Sequence, residues 1–130
     1  MGLALFCVLL LSAGLFLWLQ SDTQPALVLP DHLTVLEETG SKIFHDNCAS
    51  CHGTHAAGGK SGPPLIHRHY EPNLHGDSTF YDAVRFGTRA HHWNFGDMPR
   101  IDDLDEASIA AIVAWVRKVQ AANGIHWDSP

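Results

Sequence analysis

Apolar positions along this chain fall into two unlike regimes. From Gly2 to Leu19, GLALFCVLLLSAGLFLWL, 18 residues carry no charge, and Ser12 is the sole polar side chain. At about 1.5 Å per helical residue the segment reaches roughly 27 Å, close to a hydrocarbon core of about 30 Å. Trp18 is placed for the far interface, and Cys7 reads as a small apolar residue in lipid. A cleaved signal peptide has a shorter apolar run, about 7 to 15 residues, and Leu19 is a poor −3 residue for a cut after Ser21. The expectation is one transmembrane helix over residues 1–20; a signal peptide cut near Asp22 is the alternative.

Past Leu19 the pattern turns helical and amphipathic. Residues 21–34 hold Pro25, Pro30 and mixed polarity, and read as a linker. Residues 35–130 read as one domain. In LEETGSKIFHDN the residues Leu36, Gly40, Ile43, Phe44 and Asn47 recur at helical spacing. Gly40 costs about 1 kcal/mol there relative to Ala, so it requires a packing reason. STFYDAVRF predicts a second helix over Ser78–Phe86, capped by Ser78 or Thr79 and stopped at Gly87. Asp105–Asn123 is the strongest helix, with the stripe Ile109, Ile112, Val113, Val116 and Val119, a cap at Asp105 and a stop at Gly124. No run alternates as a strand does, so the fold class is all-α with long loops.

Composition narrows the function. A net charge of −6 excludes nucleic acid and an anionic membrane surface as partners of the domain. A domain of about 95 residues is near the lower limit for stability from side chains alone, so a bound apolar cofactor would help it fold. The ten histidines are far more than such a domain needs for packing.

Two of the three cysteines stand in Cys48-Ala49-Ser50-Cys51-His52. Zinc would require a second ligand pair, and no other C-x-x-C follows. A thioredoxin-like pair belongs after a strand in a βαβ unit, which the pattern lacks. C-x-x-C-H is the attachment motif of haem c: two thiols three apart on a helical turn meet the two vinyl groups, and the next histidine is directed at the iron. Downstream, GPPL at Gly62–Leu65 supplies proline carbonyls with no competing N–H. Such a carbonyl can hold Nδ1–H of His52 and leave Nε2 for iron.

With these residues in hand, residues 36–123 resemble the class I c-type cytochromes, and more narrowly the membrane-tethered mono-haem proteins of Gram-negative bacteria. The resemblance rests on Gly40 and Phe44, CASCH, Gly62-Pro63 with Leu65, Met98-Pro99, and Trp115 on the last helix. It implies a haem-wrapping helical domain in which the first and last helices cross at Gly40, beside a Phe44–Trp115 pair. It implies that Cys48, Cys51 and His52 hold one covalent haem c, that Pro63 accepts from His52, that Leu65 packs on the haem, and that Met98 is the second axial ligand. Pro99 restricts the backbone of Met98 and helps aim its sulfur.

The competing axial ligands are His91 and His92. With His67, His69, His75 and Trp93 they form a dense set between Leu65 and Met98. Two readings of this set stand side by side. In one, these side chains, with Arg68, Tyr70, Arg85 and Arg89, bond haem propionates, backbone and solvent. In the other, the histidines hold a second metal, copper or zinc. The acidic run Asp97, Asp102, Asp103, Asp105 and Glu106 complements a helix start or docks a basic partner.

The resemblance implies an electron carrier rather than an enzyme, anchored in a bacterial inner membrane with its haem domain in the periplasm. Its expected partners are redox proteins as donor and acceptor, a terminal oxidase or copper protein among them. The alternatives are an electron-transfer subunit of a larger membrane oxidoreductase, and a haem- or copper-linked sensor using the histidine cluster.

Overall fold

A capping box starts the first helix. The Thr34 hydroxyl accepts from Glu37 N at 3.3 Å while the Glu37 carboxylate accepts from Thr34 N at 2.7 Å, so two otherwise orphaned donors are satisfied reciprocally. The computed structural model describes residues 26–127. It consists of α1 (Val35–Asn47), α2 (Ala49–His52), α3 (Asp77–Phe86) and α4 (Glu106–Ala122), with a 3-10 turn at Arg68–Tyr70. Among the described residues, β-structure is confined to one isolated antiparallel bridge, Thr88 with Met98. The all-α expectation for the domain is met. The apolar stretch Gly2–Leu19 lies outside the described residues, and among those described no helix is long and apolar enough to cross a membrane.

Burial of α1 centres on Gly40 and Phe44. A Cβ added at Gly40 would collide with the backbone carbonyl of Ala111 in α4. The glycine thus supplies the close approach of two helix backbones, which is the packing reason its helix cost demands. One turn on, the Phe44 and Trp115 rings meet with centroids 4.7 Å apart and planes tilted by 44°. Leu36, expected on the buried face, is half exposed. The contact is limited to the crossing, and Leu36 lies a turn before it.

Helix α4 opens as expected, with the Asp105 carboxylate accepting from Ser108 N at 2.8 Å. Its stripe Ile109, Ile112, Val113, Val116 and Val119 is buried, joined by Ala111, Trp115 and Gln120. One core cluster gathers Phe44, Ala56, Ile112, Trp115, Val116 and Val119. A second packs Val84 of α3 on Ile109 and Val113. Ahead of α1, Leu27 and Leu33 lie against the first cluster. Val28 exchanges backbone hydrogen bonds with the Asn123 amide at 2.9 and 2.8 Å, tying this segment to the end of α4.

Helix α3 differs from its predicted start. Its N-cap is Gly76, which offers no side chain, and helical residues begin at Asp77. The Thr79 hydroxyl donates to the Gly76 carbonyl at 2.7 Å instead of accepting as a cap would. Asp77 in the first turn complements the helix dipole.

Replacing Gly40 by Ala forces backbone from backbone, so Gly40→Ala should lower stability by about 3 kcal/mol, read as a shift in the urea midpoint of the haem-loaded protein. Gly76→Ser, where an added Cβ meets nothing within 4 Å, should change it by only a few tenths of a kcal/mol. Equal effects at the two positions would remove the close-crossing account.

Candidate functional site: a haem crevice

The end of α1 delivers the attachment motif. Cys48 is the residue between α1 and α2, its N–H still donating to Phe44 O at 2.8 Å, and His52 N donates to Cys48 O at 2.9 Å. The tight turn of α2 therefore hangs directly from the Phe44 end of the helix crossing. His52 is buried, and its Nδ1 lies 2.9 Å from the Pro63 carbonyl. That carbonyl can only accept, so Nδ1 carries the proton and Nε2 keeps a free lone pair. Burial lowers the His52 pKa, with the Pro63 hydrogen bond acting in the opposite direction. A neutral imidazole is the form a metal requires.

The glycine-rich loop earns its composition at the same place. A Cβ on Gly59 or Gly62 would stand 2.5 or 2.9 Å from the Cys51 carbonyl oxygen. The loop lies flat on the motif, and Pro63 is brought within reach of His52.

Cys48 is half-buried and Cys51 exposed. Burial, and secondly the charge of Cys51, push the Cys48 thiol up to about 11. A redox-active pair works through a depressed thiol pKa, and the shift at Cys48 runs the other way.

His52 and Cys48 open onto a cavity of about 360 Å³. Phe44, Leu65, Phe80, Val84 and Ile112 give it apolar walls, and Met98 lies on the same lining. Met98 is held by its backbone: Thr88 N donates to Met98 O at 2.9 Å and Met98 N to Thr88 O at 2.8 Å. Within the loop so closed, Asp97 accepts from Ala90 N at 2.9 Å. Trp93 also lines the cavity, and its Nε1 is shielded from solvent with no hydrogen-bond acceptor. An apolar macrocycle with carboxylate edges meets both demands, filling the walls and offering an acceptor. The residues present fit haem.

The six remaining candidates, spread over 27 positions of sequence from His67 to Trp93, assemble as one aromatic cluster at this crevice. His67 contacts His69 at 4.7 Å and Trp93 at 5.0 Å. His69 stacks on His92 at 4.8 Å, nearly parallel. His92 meets His91 at 4.2 Å and His75 at 5.3 Å. The His67 pKa is lowered, first by burial and then by the charges of His69 and Arg68. Of the arginines expected near the propionates, Arg89 lines the cavity. Arg85 is instead paired with Glu106 across α3 and α4 at 2.5 Å.

Two residues that hold the crevice together were not singled out from the sequence. Gln120 is fully buried, and its amide donates to the carbonyls of Leu65 at 2.8 Å and Tyr70 at 3.1 Å. Arg117 reaches Asp77 at 2.8 Å, the Tyr70 carbonyl at 2.8 Å, the His75 carbonyl and Gln120 Oε1 at 2.8 Å. Its guanidinium also sits 4.8 Å from the centre of the Phe80 ring. Between them, the two side chains secure the whole segment from Leu65 to Asp77 on α4. The signal was present: Gln120 stands four residues after Val116, at a position where the stripe calls for an apolar side chain.

This geometry, with a haem-attachment turn, a carbonyl-oriented histidine and an apolar crevice between helices, defines a covalent haem-binding module. The cytochrome c family profile matches residues 37–120, and the chain belongs to that family, with covalently bound haem c and an electron-transfer function. It is 33% identical over 125 residues to the "Cytochrome bc1 complex cytochrome c subunit" of Mycobacterium bovis, covering 95% of this chain and 40% of that protein. The Mycobacterium tuberculosis protein of the same name matches equally. A "Cbb3-type cytochrome c oxidase subunit FixP" of a Bradyrhizobium species is 50% identical over 36 residues, 28% of this chain and 12% of that one. The chain spans about two fifths of the mycobacterial relatives it matches.

Gln120→Leu keeps the volume but strands the Leu65 carbonyl and leaves the Tyr70 carbonyl to Arg117 alone. It should cost about 1–3 kcal/mol in urea unfolding of the haem-loaded protein. An unchanged midpoint would mean that those carbonyls do not depend on Gln120.

Proposed function

We propose that this chain is a single-haem electron carrier with His52 and Met98 as the axial ligands of its iron, anchored in a bacterial inner membrane by Gly2–Leu19 with the haem domain in the periplasm. The observation that carries the reading is that His52, its Nδ1 committed to Pro63, and Met98, its backbone clamped to Thr88, line one apolar cavity. Bound there, haem c supplies reversible one-electron chemistry at a potential set by its axial ligands. The chain's own residues do the rest. Pro63 fixes the tautomer and orientation of His52, and Thr88 and Pro99 hold the Met98 sulfur in place. Phe44, Leu65, Phe80, Val84 and Ile112 exclude water. Cys48 and Cys51 tether the group so that it cannot be lost during turnover. With His52 and Met98 as its protein ligands, the haem would be favoured in the ferrous state and its potential raised.

The second reading, an electron-transfer subunit of a larger membrane oxidoreductase, is favoured by the names of the relatives, which are subunits of a bc1 complex and of a cbb3-type oxidase. In either case the partners are redox proteins as donor and acceptor, a terminal oxidase or a copper protein among them. Stoichiometric co-purification in mild detergent separates the subunit from the free carrier. The intact mass of the membrane-extracted protein separates an anchored N-terminus from one cut near Asp22.

Met98→Ala should abolish the weak near-infrared band of Met-ligated ferric haem. The midpoint potential should fall on the order of tenths of a volt, within the roughly 0.8 V that axial ligation spans. If band and potential both survive, Met98 is not the ligand and His91 or His92 takes its place.

A further inference from the structure

Haem attachment accounts for His52, but it does not account for the way three other histidines face one another. His75, His91 and His92 each bring one ring nitrogen to a common point, all within 4.8 Å of one another. They come from two separate segments, the turn before α3 and the tip of the Thr88–Met98 loop, so the convergence is a product of the fold and not of sequence adjacency alone.

Each imidazole is prepared in a different way. His75 is anchored: its carbonyl accepts from Arg117, and its ring lies 5.2 Å from that of Tyr70. Its Nδ1 is shielded from solvent and has no hydrogen-bond partner, a state that costs free energy unless something else engages the atom. His91 has its Nδ1 at 2.7 Å from the Arg89 carbonyl, which fixes the proton on Nδ1 and leaves a lone pair on Nε2. A second hydrogen bond of that kind is the usual companion of a metal-binding imidazole. His92 is exposed, and its ring is steered by His69 stacked on it.

Distances favour a metal over a hydrogen-bonded trio. Zinc sits about 2.0–2.1 Å from an imidazole nitrogen, which puts tetrahedral ligand atoms about 3.4 Å apart. Closing from 4.8 Å takes a movement of about 1 Å by side chains of which two, His91 and His92, are exposed and able to turn. A recess lined by Ala90, His91, His92, Trp93, Asn94 and Gly96 opens beside the pair, giving a hydrated cation a way in and water a place as fourth ligand.

We propose that His75, His91 and His92 form a binding site for one first-row transition-metal dication at the rim of the haem crevice, taking copper(II) in preference to zinc(II) as imidazole sites do. The site is separate from the iron ligands: its three residues contribute neither the attachment motif nor Met98. It rests on the proposed reading of Met98 as the iron ligand, which leaves His91 and His92 available, and stands whether the protein is a free carrier or a subunit.

The test is a calorimetric titration of the full-length, oxidised, haem-loaded protein with zinc(II), which is redox-silent and leaves the iron ferric. One zinc per chain is expected, with affinity weakened at least tenfold in His91→Ala and in His92→Ala and unchanged in His45→Ala, an exposed histidine on α1. Copper(II) added to the same samples should give an electron paramagnetic resonance spectrum with nitrogen hyperfine structure that is lost in the first two variants. His91 and His92 are exposed but also reach the cavity lining, so the haem absorption spectrum is recorded for each variant to report on the crevice independently of zinc binding. His75→Ala, in the anchored segment, is read only if that spectrum is preserved, and then it too should bind at least tenfold more weakly. Absence of saturable one-to-one zinc binding in the wild type overturns the proposal. So does wild-type affinity in His91→Ala and His92→Ala, including the case where those variants alter the haem potential and leave zinc binding untouched.

Discussion

Everything in this domain is referred to one close approach, that of Gly40 to the Ala111 carbonyl. Because no side chain intervenes, α1 and α4 pack backbone to backbone, and the angle and depth of that contact fix where α1 ends. Phe44 meets Trp115 one turn later, Cys48 follows at the helix terminus, and His52 one turn beyond that. A displacement at the crossing would travel along a rigid helix into the haem-attachment turn. The most constrained contact of the core is thus also the origin from which the cofactor's position is measured.

The second organising element is polar and buried. Long loops around a cofactor leave carbonyl oxygens without helix or sheet partners, and those groups must be satisfied if the loops are to close over the crevice. Arg117 and Gln120 do this from one side of α4, taking the carbonyls of Leu65, Tyr70 and His75. The same arginine bonds Asp77 at the start of α3. Two side chains thereby convert a loop from Leu65 to Asp77 into a wall as fixed as a helix, and set His75 in its place beside the loop tip.

How much of this could be read from residues alone follows the range of each interaction. CASCH, the α4 stripe and its Asp105 cap are local patterns and were legible, as was the need for a packing reason at Gly40. That a proline carbonyl could hold His52 followed from the lack of competing donors, Pro63 in particular from the family resemblance, and the structure puts Pro63 O 2.9 Å from His52 Nδ1. The start of α3 was misplaced because Thr79 resembles a cap in sequence but donates to Gly76 from within the first turn. Leu36 matched the helical period yet lies outside the crossing. The Thr88–Met98 bridge joins two residues with no alternating run on either side, so no strand signal announces it. Arg117 and Gln120 act over 40 or more positions of sequence, on partners no periodicity marks.

That bridge divides the loop it closes into two parts with different freedoms. At its base Met98 is locked to Thr88, and the next residues are secured by Ile101 N donating to Val84 O at 2.8 Å. At its tip His91, His92, Asn94 and Phe95 are exposed, and His91, His92 and Phe95 also reach the cavity lining, so the tip lies between solvent and crevice. Substitutions at the tip therefore change the rim of the crevice while the Met98–Thr88 pairing stays in place. The loop behaves like a socket with an interchangeable rim: one end is locked by backbone hydrogen bonds, and the other is available for new chemistry.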